Sequence, residues 1–111
     1  MNPTQIDRLL AGVPPDADIR HHTRVGGYAA TARRCAERIA SLRAELDRAL
    51  RDVGDAAPGA AEAQAADEAL RIVGELEALE RVQPRVDSWL RVAVNAISDD
   101  PGPAPFGEGP A

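Results

Sequence analysis

Residues 25–53 read VGGYAATARRCAERIASLRAELDRALRDV, and the fold turns on the spacing of their apolar members. Val25, Tyr28, Ala32, Cys35, Ile39, Leu42, Leu46, Ala49 and Val53 follow one another in alternating steps of 3 and 4. Residues 65–97 carry a second such series: Ala65, Ala69, Ile72, Leu76, Leu79, Gln83, Val86, Leu90, Ala93 and Ile97. This alternation keeps a stripe on one side of an α-helix, where it seeks a second helix. Between the two series lies Gly54-Asp55-Ala56-Ala57-Pro58-Gly59, a turn by composition. The chain therefore reads as all-α, with a long antiparallel, coiled-coil-like helical hairpin over residues 18–98 and its turn near 54–59.

Asn2-Pro3 opens a short helix, since Asn caps and Pro suits the first helical position. Its apolar face is Ile6, Leu9 and Leu10, and Gly12 ends it. Residues 1–17 are this helix and a Val13-Pro14-Pro15 connector. Nine residues do not hold a helix alone in water, so it must dock on the hairpin or on a partner. Asp18 caps the next helix, but Gly26-Gly27 costs up to about 1 kcal/mol per glycine. Residues 18–24 are thus expected to form a separate turn, with the long helix beginning near Gly27. Residues 99–111 are a Pro/Gly-rich tail, expected to be disordered, with Phe106 as its one large apolar residue.

Pro84 interrupts the second helix, where a proline costs about 3 kcal/mol. The 3-4 phase nevertheless passes through it unchanged, which predicts one kinked, continuous helix to about Ser98. The alternative is a third helix starting at Pro84. A second stripe, Ala66, Leu70, Val73, Val82, Trp89, Val92 and Ala96, widens the apolar arc beyond what one partner helix covers.

Composition narrows the function. Of the apolar residues 22 are Ala, and the aromatics are Tyr28, Trp89 and Phe106 alone. A two-helix hairpin with so thin a core is marginal by itself, because small chains bury little of their surface. Two copies packing into a four-helix bundle would remedy this. The net charge of −5 argues against bulk nucleic-acid binding. The charge is divided: residues 19–53 hold eight Arg against four acids, and residues 61–98 four Arg against seven. Opposite signs favour the two helices lying side by side. The basic residues are all Arg, and with the Ala excess they fit a GC-rich coding sequence, as in actinobacteria and their phages.

Chemistry-bearing constellations are scarce. His21-His22 are adjacent and point apart on a helix, and no metal-ligand spacing accompanies them. The carboxylates Asp67, Glu68, Glu75, Glu77, Glu80 and Asp87 lack the Glu-x-x-His pairs of di-iron bundles and read as a solvated face. Cys35 is alone and falls on the stripe, so it reads as a small buried residue. No cofactor or metal site is expected, and no catalytic residue. Arg20, Arg24, Arg33 and Arg34 form a basic stretch suited to an anion or an acidic partner. No apolar run reaches the roughly 20 residues of a membrane span, and the N-terminus has no signal-peptide pattern. A cytoplasmic protein, or one built into a particle assembled there, is expected.

These readings converge on a non-enzymatic helical protein–protein interaction module that self-associates, most simply as a homodimer, or pairs with another helical protein. Its expected interface is Ile39, Leu42 and Leu46 on the first long helix and Ile72, Leu76, Leu79, Val86 and Leu90 on the second. Val82 and Trp89 serve a further contact. Alternatives with the same fold are a structural component of a phage or other large particle, an antitoxin-like inhibitor of one partner, and a nucleic-acid accessory protein.

Overall fold

The computed structural model describes residues 1–99 of the chain. Among them are three helices and no strand: α1 (Pro3–Ala11), α2 (Ile19–Asp55) and α3 (Ala60–Asp99). The two long helices run about 55 and 60 Å at 1.5 Å per residue and pack against each other as an antiparallel hairpin. The expected tail lies outside the described residues, apart from Asp99, which still belongs to α3.

The helices α1 and α2 begin where a side chain satisfies the first free N–H groups. Asn2 caps α1: its side-chain oxygen accepts from the Gln5 N–H at 2.8 Å, and the Gln5 side chain accepts from the Asn2 N–H at 2.9 Å. This reciprocal pair is a capping box. Asp18 caps α2, accepting from the Arg20 N–H at 2.8 Å and from the Arg20 guanidinium at 3.1 Å. The hairpin turn is made by Ala56 in extended conformation and by Gly59 at φ +107°, a left-handed geometry that glycine adopts without steric cost.

Two expectations about helix continuity are resolved. No separate turn precedes Gly27; α2 is helical from Ile19 straight through Gly26-Gly27. Val25 and Ala29 on either side of the glycines are buried, and their burial outweighs the propensity cost. Likewise α3 passes through Pro84 as one helix, so no third long helix begins there. Pro84 is exposed, whereas Leu79, Val86 and Leu90 continue the buried seam on both sides of it. Packing on the inner side holds the helix across a local defect on the outer side.

The core has two parts. Toward the turn, Cys35, Ile39, Leu42 and Ala49 of α2 meet Ala69, Ile72 and Leu76 of α3, with Leu46 and Leu79 packed alongside. At the other end Val25, Ala29 and Ala32 meet Val86, Leu90, Ala93, Val94 and Ile97, and α1 inserts Ile6, which is wholly buried. The small Ala side chains of α2 leave the volume that Ile6 fills. The short helix therefore docks on the hairpin. Arg38 bonds Glu75 at 2.8 Å and Arg43 bonds Glu80 at 3.2 Å, so the opposite charges of the two helices meet as expected. Such exposed pairs select the partner more than they stabilise it.

Pro84→Ala should raise stability by up to about 3 kcal/mol, because it restores an N–H donor and removes a ring clash inside a continuous helix. Urea denaturation would show a higher midpoint; a lower one would contradict the unbroken helix. At the α2 cap, the Arg20 side chain and then its backbone N–H pull the Asp18 carboxyl down from 3.8 to about 2. A depressed folded-state pKa means that the cap's contribution is complete above about pH 4 and is lost as pH falls toward 2. An NMR titration of Asp18 should find its midpoint near 2 and see Arg20→Ala move it back toward 3.8.

Candidate functional site

Successive residues of an α-helix are about 100° apart, so a buried seam has two flanks. On α3 the seam near α1 is Val86, Leu90, Ala93 and Ile97. Asp87 and Val94 lie on one flank, and both are buried. Val82, Trp89, Val92 and Ala96 lie on the other. Val82 is 47% exposed, Trp89 51% and Val92 64%. The asymmetry has a simple cause. The α1 helix covers the Asp87 flank: Met1 pairs its terminal ammonium with Asp87, Gln83 donates to the Met1 carbonyl at 2.9 Å, and Arg33 pairs with Asp7. Nothing among the described residues covers the opposite flank.

That uncovered flank is shaped. The Tyr28 ring of α2 and the Trp89 ring of α3 lie with centroids 6.1 Å apart at a 42° tilt. Such tilted aromatic pairs are favourable and hold both rings in place. Together with Arg24, Val92, Ala93 and Ala96 they line an open groove of about 330 Å³. Val82, Arg85, Trp89, Val92 and Ala96 are spaced 3, 4, 3, 4, so the open flank has its own helix-seeking period. A cationic side chain, Arg24, stands at its edge.

The stripe read as continuous from Ala66 to Ala96 is in fact two. From Val73 to Val82 is nine residues, two and a half turns, which carries the pattern to the opposite side of the helix. Leu70, 68% exposed, therefore does not share a face with Trp89. Asp87 is likewise no member of a solvated acidic face; it is 6% exposed. The signal that could have exposed it is Gln83, a polar residue on the seam one turn earlier.

The structure places the expected interface residues in two groups. Ile39, Leu42, Ile72, Leu76, Val86 and Leu90 are buried between α2 and α3 of a single chain, with Leu46 and Leu79 partly buried beside them. Val82 and Trp89 remain on the surface. The expected basic cluster is dispersed. Arg20 is engaged by Asp18, Arg33 by Asp7, Arg24 lines the aromatic groove and Arg34 is exposed. His22 borders a shallow depression with Leu10, Val13, Val25 and Gly26. Among the described residues no group of three or more His, Cys, Asp or Glu side chains is placed to hold a metal ion. Cys35 gives its thiol hydrogen to the Leu79 carbonyl at 3.7 Å, and burial, then the charge of Asp87, pushes its pKa up, which keeps it in the unreactive thiol form. No described helix is long and apolar enough to cross a membrane. Comparisons with protein families, curated proteins and solved structures found no match.

The adjacent residues Trp89 and Leu90 face opposite environments and should respond oppositely to truncation. Leu90→Ala should cost about 2–5 kcal/mol, as expected for a fully buried Leu. Trp89→Ala, although it removes more atoms, should cost less than half as much. Thermal melts of the two variants check this ordering; equal losses would mean that Trp89 is a core residue.

Proposed function

We propose that this protein is a non-enzymatic helical interaction module that self-associates through the open flank of α3. The observation that carries the reading is the exposed stripe of Val82, Trp89 and Val92, backed by Tyr28, on a helix whose seam is already used inside the chain. Large apolar side chains in helical register on a surface are costly to leave in water, and Trp and Tyr are favoured at the centres of interfaces. Two copies apposed by these flanks would make the antiparallel dimer of hairpins, with α1 on the outside of each. The thin Ala-rich core supports the same reading, since a second copy would add the apolar burial that one hairpin lacks. The long hairpin also suits a component of a larger particle built in the cytoplasm, for instance a phage, in which the same flank would contact neighbours.

Sedimentation or light scattering over a concentration series tests this. The native chain should pass from one copy to two, and Val92→Asp should hold it at one copy with unchanged helicity, because a charge at the centre of a dry contact lacks a partner. A native chain that stays a single copy at all concentrations would end the self-association reading.

A further inference from the structure

Two depressions lie along the hairpin, and their linings correspond residue by residue. One is the aromatic groove. The other, about 340 Å³, lies toward the turn and is lined by Glu45, Arg48, Ala49 and Asp52 of α2 and by Glu68 and Arg71 of α3. Glu45 stands 21 residues from Arg24, Ala49 21 from Tyr28, Glu68 21 from Trp89 and Arg71 21 from Val92. Three heptads make 21 residues, and residues whole heptads apart keep the same side of the seam between two packed helices. The Arg38–Glu75 pair lies between the depressions on the same two rows. Both therefore open on one broad face of the hairpin, about 31 Å apart, and α1 packs on the opposite face.

The two ends of that face differ in charge. Residues 19–36 and 81–98, the free-end half of the long helices, hold seven Arg against one acid, the buried Asp87. Residues 37–80, the turn half, hold five Arg against eleven acids. Of the three acids in residues 1–18, Asp7 and Asp18 are already paired, with Arg33 and Arg20. On the shared face Arg24 and Arg85 beside the aromatic pair, and Glu45 and Asp52 in the second depression, form no ion pair among the described residues. A short overlap with Trp89 on Trp89 sets cationic half on cationic half. A parallel pair sets each half on its like. An antiparallel pair in full overlap sets each cationic half on an acidic one.

We propose that a second copy lies antiparallel on this face in full overlap, so that the charged depression of each copy closes the aromatic groove of the other and Arg24 of one faces Glu45 and Asp52 of the other. This register rests on the self-association proposed above. With the two-fold axis midway between the depressions, α2 lies over α2 and α3 over α3. The Arg71 guanidinium of the second copy is then in the region of Trp89, where a planar, weakly hydrated cation stacks well on an indole. Apolar burial supplies affinity, and the charges choose the orientation.

Arg24→Glu, and separately the double variant Glu45→Arg with Asp52→Arg, put like charges at both such contacts of a dimer. Sedimentation equilibrium at low salt should find the dimer dissociation constant raised roughly tenfold or more in each. An equimolar mixture of the two should return to within about threefold of native, because every such contact is again of opposite sign. If the native chain dimerises and the mixture is not rescued, the register is overturned and self-association stands. A native chain that stays a single copy overturns both. Should a charge variant lose helicity, nitroxides on Ala78→Cys in a Cys35→Ala background leave the charges intact. Ala78 lies at the proposed midpoint, so the two labels should report the short distance of neighbouring helices. Packing of Trp89 on Trp89 holds them about 33 Å apart along the axis, and that result would overturn the register.

Discussion

The seam between α2 and α3 is the constraint on which everything else depends. It is one residue-row wide on each helix, and it uses just under half of the large aliphatic side chains the chain possesses. A seam that narrow leaves the hairpin with two open faces. One is closed by α1, whose Ile6 fills space left by Ala29 and Ala32. The other keeps Trp89 and Val92 in water. The short helix and the exposed aromatic stripe are thus two answers to one shortage of apolar volume, the first solved within the chain and the second not.

The hairpin itself was legible because helical periodicity is a strong signal over eight or more turns, and because its charges agree with it. The pairs Arg38–Glu75 and Arg43–Glu80 join the helices whose compositions predicted attraction. The unbroken phase across Pro84 correctly implied one helix. The start of α2 was not legible, because glycine propensity is a local quantity and the burial of Val25 and Ala29 is a tertiary one. The role of Asp87 was hidden for a different reason. Its partner lies on Met1, 86 residues away in the sequence, and one acid among the eight of α3 reads as surface. The two α3 flanks were merged into one stripe because a gap of nine residues, half a turn out of phase, was read as a continuation.

The resulting surface is divided by chemistry. Asp87, its ammonium partner and Gln83 form a polar pin on one face, beneath an amphipathic helix. The other face offers a tilted aromatic pair, aliphatic side chains in register and Arg24 at the margin. The groove is open, and polar and apolar atoms share its lining about equally.

Trp89 is the only tryptophan in the chain, so its fluorescence reports directly on the open flank. Acrylamide quenching of Trp89 across a dilution series, with helicity followed in parallel, is the most direct measurement of whether this flank is exposed in one copy and covered in two. The account predicts free quenching at low concentration and progressive shielding as concentration rises, at constant helicity. A tryptophan already shielded in the most dilute sample would contradict the open flank, and one quenched equally at every concentration would contradict its use between copies.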